Sequence, residues 1–185
     1  SRRMGHPAAG RSAARLSRAA ARRRHFGGTT AGGGTPDNNN AIEVKINSDL
    51  VTIEPGSRGT DQTLLSYLRE NHVTGVKRVC EEGGCGACTV VVGEWDAATQ
   101  SVLHKSVCSC LQPMAKMDHK HVLTIEGLSQ VSPTGIHPIS DAFAQLGASQ
   151  CGFCSPGFIS TMAARMESPN GAPHAYDLDH VFDGN

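Results

Sequence analysis

No apolar run in the 185 residues approaches the eighteen or so that a membrane-spanning helix requires. No secretory signal is in view either, so a disulfide framework is a poor expectation for the seven cysteines, and tightly spaced intracellular cysteines more often bind metal. Acids are nearly missing from the first forty residues, which hold eight arginines and one acid, Asp37. The rest of the chain has the opposite bias: residues 41–185 carry nine Lys/Arg against sixteen Asp/Glu, a net charge of −7 with histidine neutral. Such a body is expected to be soluble, acidic and a poor nucleic-acid binder.

The arginine-rich leader, with Arg22-Arg23-Arg24 near its end, passes into glycines and then Asn38-Asn39-Asn40. Its Ala/Arg/Ser content without acids suits an organelle transit peptide. The bland reading is a disordered extension, or translated sequence upstream of the true start. The cytoplasm is the expected location of the body, with organelle import as the alternative. Residues 1–40 are therefore set apart from the rest of the chain.

What is present is cysteine in a particular spacing. Cys80, Cys85 and Cys88 form C-x4-C-x2-C, with further cysteines downstream at Cys108 and Cys110. This is the plant-type [2Fe–2S] ligand pattern. Ferric iron bridged by sulfide takes soft thiolate ligands, and four of them complete two tetrahedra carrying a net charge of about −2. Backbone N–H groups must face that charge when it is buried. Gly83, Gly84 and Gly86 are expected to reach positive φ and let the main chain close on the sulfurs. Four cysteines also hold structural zinc, although zinc sites usually show two knuckles of similar size, not a glycine-rich arc. The nine histidines add no second metal set: His104, His119 and His121 are expected as solvated surface residues.

Around this arc the pattern is that of an α+β domain. Ala41–Ile46 alternates as a strand, 47–49 turns, and Leu50–Ile53 returns. Thr60 or Asp61 is expected to cap a helix with Leu64, Leu65 and Leu68 on one face. Segments 89–92 and 101–104 are strands flanking a connection from Gly93 to Gln100, and a last strand at 121–125 ends at Gly127. Beyond it, Ile139, Ala142, Phe143 and Leu146 mark a helix ending at Gly147. Pro156 then opens another through Phe158, Ile159, Met162 and Met166. Between these two lies Gln150-Cys151-Gly-Phe-Cys154, which alone reads as half a metal site, a redox dithiol or two structural thiols.

The run Val73-Thr-Gly-Val-Lys-Arg-Val-Cys-Glu-Glu-Gly-Gly-Cys-Gly-Ala-Cys-Thr-Val90 resembles the ferredoxin-like domain of the xanthine dehydrogenase and aldehyde oxidase family of molybdenum hydroxylases. The resemblance covers about residues 41–185. It implies a β-grasp [2Fe–2S] ferredoxin-like domain over 41–127 and an α-helical [2Fe–2S]-binding domain over 128–185. Cys110-Leu-Gln-Pro-Met114 resembles the family's fourth-ligand segment, which makes Cys110 the ligand alongside Cys80, Cys85 and Cys88, and leaves Cys108 an ordinary thiol. By the same resemblance Cys151 and Cys154 supply half of a second cluster, and Gln150 contacts molybdopterin. The other two ligands belong to a Cys-Arg-Cys motif; residues 181–185 look like those just before it, so only half of that set falls within these 185 residues. The helical domain is then expected to be incomplete and loosely packed.

The implied parent hydroxylates a purine or aldehyde carbon at molybdenum, passes electrons through two clusters to FAD, and is a homodimer. FAD and molybdenum domains would be partners on the same polypeptide or on separate chains. The long 93–100 connection resembles the large single-chain eukaryotic type. A stand-alone carrier or small iron–sulfur subunit is the competing expectation, and a zinc-binding interaction module a third.

Overall fold

Residues 41–167 and Phe182 are described by the structure, a computed structural model; the arginine-rich leader and the remainder of 168–185 lie outside the described residues. Strand β1 (Ile42–Ile46) alternates buried and exposed side chains, placing Ile42, Val44 and Ile46 inward. It turns through Asn47, at φ 54, into β2 (Asp49–Ile53). Asparagine tolerates that left-handed backbone through its short polar side chain.

Helix α1 (Leu64–Glu70) buries Leu64, Leu65 and Leu68 completely. Its N-cap is Thr63, whose Oγ1 accepts from Ser66 N at 3.2 Å, rather than Thr60 or Asp61. Thr60 is engaged elsewhere: its N and Oγ1 both donate to Ser57 O, closing a turn that delays the helix.

Strands β3 (Thr89–Asp96) and β4 (Ser101–Cys108) pair antiparallel through all eight positions, so both are longer than expected and the connection shrinks to 97–100. Asp96 shapes that turn, accepting from Ala98 N and Thr99 Oγ1. Strand β5 (His121–Leu123) pairs parallel to β1 and antiparallel to β3, giving the order β2-β1-β5-β3-β4. The expected continuation of β5 to Gly127 is replaced by helix α2 (Ile125–Val131), capped at Thr124. Gly127 lies within that helix, where an added methyl group would strike the Asn47 side chain. Asn47 in turn holds Thr124, accepting from its N at 2.9 Å.

The sheet is covered on both faces. Val90 and Val92 point into a core with α1, Met114 and Met117. Val91, between them, points the other way and packs with Leu123, Leu128, Ile139, Ile159, Ala163 and Ala164. Leu123 comes from β5, and the others from α2, α3 (Pro138–Gln145) and α4 (Ser155–Met166). The expectation of a loose helical tail therefore fails for α4, which buries six of its residues, chiefly against β3 and β4. Helix α3 is less covered, with Ile139 buried and Phe143 half-buried while Ala142 and Leu146 are exposed. Two histidines depart from expectation as well. His104 is half-buried with Nδ1 3.7 Å from the Glu167 carboxylate, and the His121 Nε2 lies 2.9 Å from Asn47 O. Among the described residues, no helix is long and apolar enough to cross a membrane.

This arrangement is a mixed sheet with one helix packed across it and further helices on its other face, an α+β fold of the β-grasp type.

Candidate metal centre

The β3–β4 hairpin does the first part of the assembly. Thr89 stands opposite Cys108, so the residues just outside the hairpin, Cys88 and the turn Ser109–Leu111, are brought together. Ser109 fixes the join: its N and Oγ both donate to Cys88 O, at 3.3 and 2.7 Å. Cys88 and Cys110 are buried there, 3% and 6% exposed, while Cys80 and Cys85 are half-buried on the arc. All seven cysteines are free thiols.

The arc closes through backbone conformations that most side chains avoid. Gly83 and Gly86 sit at φ +78 and +65. Gly84 does not share this conformation, so only two of the three expected glycines need the freedom. The third left-handed residue is Glu81, at φ 58, which nothing in the sequence marked out. Thr89 ties down the end of the arc, its N and Oγ1 donating to Gly86 O at 3.0 and 2.7 Å.

The electrostatics depend on where the N–H groups aim. Hydrogen bonds from the arc, the Glu82 N–H foremost and then the Cys85 thiol, pull the Cys80 thiol down to about 7. Burial, reinforced by the neighbouring Cys88 thiol, pushes Cys110 up to about 12 against the opposing pull of the Gly83 N–H. Among the described residues no three His, Cys, Asp or Glu side chains already stand in a ready ligand set. Cys80 meets Cys85, and Cys88 meets both Cys110 and Cys108.

Cys108 stands apart from its neighbours in one respect. Its Sγ lies 3.8 Å from Gly83 O, toward which its S–H points, whereas the Gly83 N–H serves the Cys110 sulfur. One glycine thus presents a donor to Cys110 and an acceptor to Cys108, and donors favour thiolate while acceptors favour thiol. The donor set suits soft-metal chemistry: four cysteines, with N–H groups facing the sulfurs and glycine where a side chain at Gly83 would strike Leu111.

Cys151 and Cys154 lie at the start of α4, both exposed, with Cys154 as its N-cap and Gly152 at φ +78. Gln150 is exposed beside them. The other five cysteines belong to the arc and to the end of β4 and its turn, so this pair stands alone among the described thiols. It is nevertheless anchored next to the arc. The Phe153 ring has Lys77 Nζ 5.7 Å from its centre, and Gly157 is packed on the backbone of Gly86 and Ala87. Sequence reading missed both contacts, although a glycine in the first turn of a helix was a usable signal.

Comparison with known proteins agrees with this geometry. A model described as a 2Fe-2S iron-sulfur cluster binding domain matches residues 46–114, and one described as a [2Fe-2S] binding domain matches residues 124–185. Xanthine dehydrogenase 1 of Arabidopsis thaliana is 42% identical over 123 residues, covering 66% of this chain and 9% of that protein. Among solved structures, quinoline 2-oxidoreductase from Pseudomonas putida is 31% identical, with a TM-score of 0.59 over 78% of this chain and 80% of that one. The aldehyde oxidoreductase of Desulfovibrio desulfuricans is 30% identical, with a TM-score of 0.60 over 77% of this chain and 14% of that one. The chain is thus a small fraction of the length of the xanthine dehydrogenases it matches.

Fold, thiol arc and matches together define a protein of the [2Fe–2S]-binding class, with two such domains in one chain. More particularly, the chain belongs to the xanthine dehydrogenase and aldehyde oxidase family of molybdenum hydroxylases, as its iron–sulfur region.

Proposed function

We propose that the chain is the electron-transfer portion of an oxidoreductase of this family, with Cys80, Cys85, Cys88 and Cys110 holding one [2Fe–2S] cluster. When bound, such a cluster supplies a one-electron store. The chain's own residues supply the rest. The N–H groups of Glu82, Gly84 and Cys85 face the Cys80 sulfur, and that of Gly83 faces Cys110. These donors offset sulfur charge and so set the reduction potential. The observation that carries the assignment is the hairpin register, which places buried Cys110 against buried Cys88 at one end of the N–H-lined arc.

In this reading residues 41–127 form the ferredoxin-like domain and 128–185 belong to the second [2Fe–2S]-binding domain. Cys151 and Cys154 supply two ligands of the second cluster, and Gln150 faces the molybdopterin. The parent would oxidise a purine or an aldehyde in the cytoplasm, as a homodimer, with FAD and molybdenum domains outside these residues. A second reading, a small iron–sulfur subunit docking on separate catalytic chains, is favoured by one finding: the chain covers 80% of the matched chain of quinoline 2-oxidoreductase.

Anaerobic purification followed by metal analysis tests the cluster. About two irons per chain are expected from one complete [2Fe–2S] site. About four would add a completed second site, and stoichiometric zinc without iron would overturn the assignment.

A further inference from the structure

Gly157 is buried in the first turn of α4, three residues after Cys154. Glycine weakens a helix relative to alanine, so its presence there calls for a packing reason. A methyl group built on it would strike the Gly86 carbonyl oxygen, and would lie 3.1 Å from the Gly86 carbonyl carbon and 3.2 Å from Ala87 Cα. All three are backbone atoms, which cannot rotate aside as the end of a side chain can.

Neither side of this contact has room to yield. The Gly86 carbonyl is held twice by Thr89, through N at 3.0 Å and Oγ1 at 2.7 Å, and Gly86 itself occupies φ +65. On the other side Ile159, Ala163 and Ala164 pin α4 into the second core. Gly86 and Ala87 are the two residues between Cys85 and Cys88. One backbone-to-backbone contact therefore joins the two C-x2-C motifs of the chain.

We infer that Gly157 is a positioning residue, whose missing side chain seats the Cys151–Cys154 turn directly on the Cys85–Cys88 arc and fixes the backbone that presents those two arc sulfurs. The inference rests on the reading that the arc holds a [2Fe–2S] cluster. It assigns to α4 a role in tuning that cluster, because small shifts of the backbone around metal-bound sulfurs change potential and spectrum.

The test uses the full 185-residue chain with its cluster, comparing Gly157→Ala with a control on the same helix, Ala163→Gly, which is fully buried in the second core. Iron content, midpoint potential and the EPR g values of the reduced chain are measured. Gly157→Ala is expected to keep its iron while shifting both potential and g values. Ala163→Gly is expected to lower the melting temperature and leave both unchanged. Coincident spectra and potentials for Gly157→Ala and the parent would overturn the inference. So would an equal shift in Ala163→Gly, which would mean general loosening of α4. If Gly157→Ala cannot be isolated with iron, Thr89→Val decides, since it removes the Oγ1 bond to the same carbonyl, leaving that from the residue 89 N–H, without adding bulk. Shifted g values in that variant uphold the inference, and unchanged ones overturn it. A parent chain that purifies without iron points instead to failure of the cluster assignment, and is seen before any variant is made.

Discussion

Cys110→Ser is expected to leave the chain with almost no iron, whereas Cys108→Ser keeps it. Spacing alone does not separate these two cysteines, but their surroundings do. Cys110 is buried beside Cys88, with the Gly83 N–H facing its sulfur. Cys108 is half-buried and directs its S–H to the Gly83 carbonyl, whereas burial and Cys88 push both thiols up and so do not separate them. A bound cation would hold Cys110 as thiolate and repay its desolvation, which no ordinary proton equilibrium near neutrality does. Serine keeps the size of the side chain but replaces a soft ligand with a hard one. The loss should also appear in stability, because a cofactor that binds only the folded chain stabilises it in proportion to its affinity. Iron and acid-labile sulfide per chain, with the melting temperature, check this. Iron retained in Cys110→Ser and lost in Cys108→Ser would invert the ligand assignment.

Leu128→Ala is expected to cost ~2–5 kcal/mol, the range for a leucine truncated in a packed core. Leu128 is completely buried and joins α2 to Val91, Ile159 and Ala163 in the second core. That core shares strand β3 with the first, since Val90 and Val92 face one way and Val91 the other. The described residues also belong to one compact unit. Damage at Leu128 should therefore spread through the sheet, lowering a single melting transition and the iron retention of the arc together. Hydrogen exchange in α4 should be about as slow as in β3 in the parent chain. Two separate transitions, with only the helical one moved by Leu128→Ala, would show instead that the two cores unfold independently.

The difference between what the sequence revealed and what it hid comes from the range of the interactions. Alternation in Ile42–Ile46 and the leucine face of α1 are local patterns; the strand forms and the leucines are buried as expected, although α1 is capped by Thr63, later than the expected cap. The N-terminal proline of α4 and the residues along it were legible for the same reason. The expected connection began at Gly93, a residue type depleted in strands, whereas cross-strand pairing from Thr89–Cys108 to Asp96–Ser101 carries the strands past it. The end of β5 was missed because Thr124, a good strand residue, is held by Asn47 from another turn and stands at the N-cap position of a helix instead. At the site, ligand spacing pointed to Cys80, Cys85 and Cys88 and the family resemblance to Cys110, but neither gave the partition of Gly83 between Cys108 and Cys110. Nor did it show that the tail packs on the arc. The exposed Leu146 was expected inside, yet the apolar face of α3 meets the core only through Ile139 and Phe143. Sequence periodicity marks an apolar face without saying how much of it is covered.

The central claim is that the glycine arc and the β4 turn together hold a redox-active iron–sulfur cluster. The most direct measurement is the EPR spectrum of the anaerobically purified 185-residue chain before and after reduction with dithionite. Silence is expected in the oxidised chain and one rhombic signal on reduction, lost in Cys110→Ser and kept in Cys108→Ser. A chain that stays silent after reduction while holding stoichiometric zinc would contradict the claim.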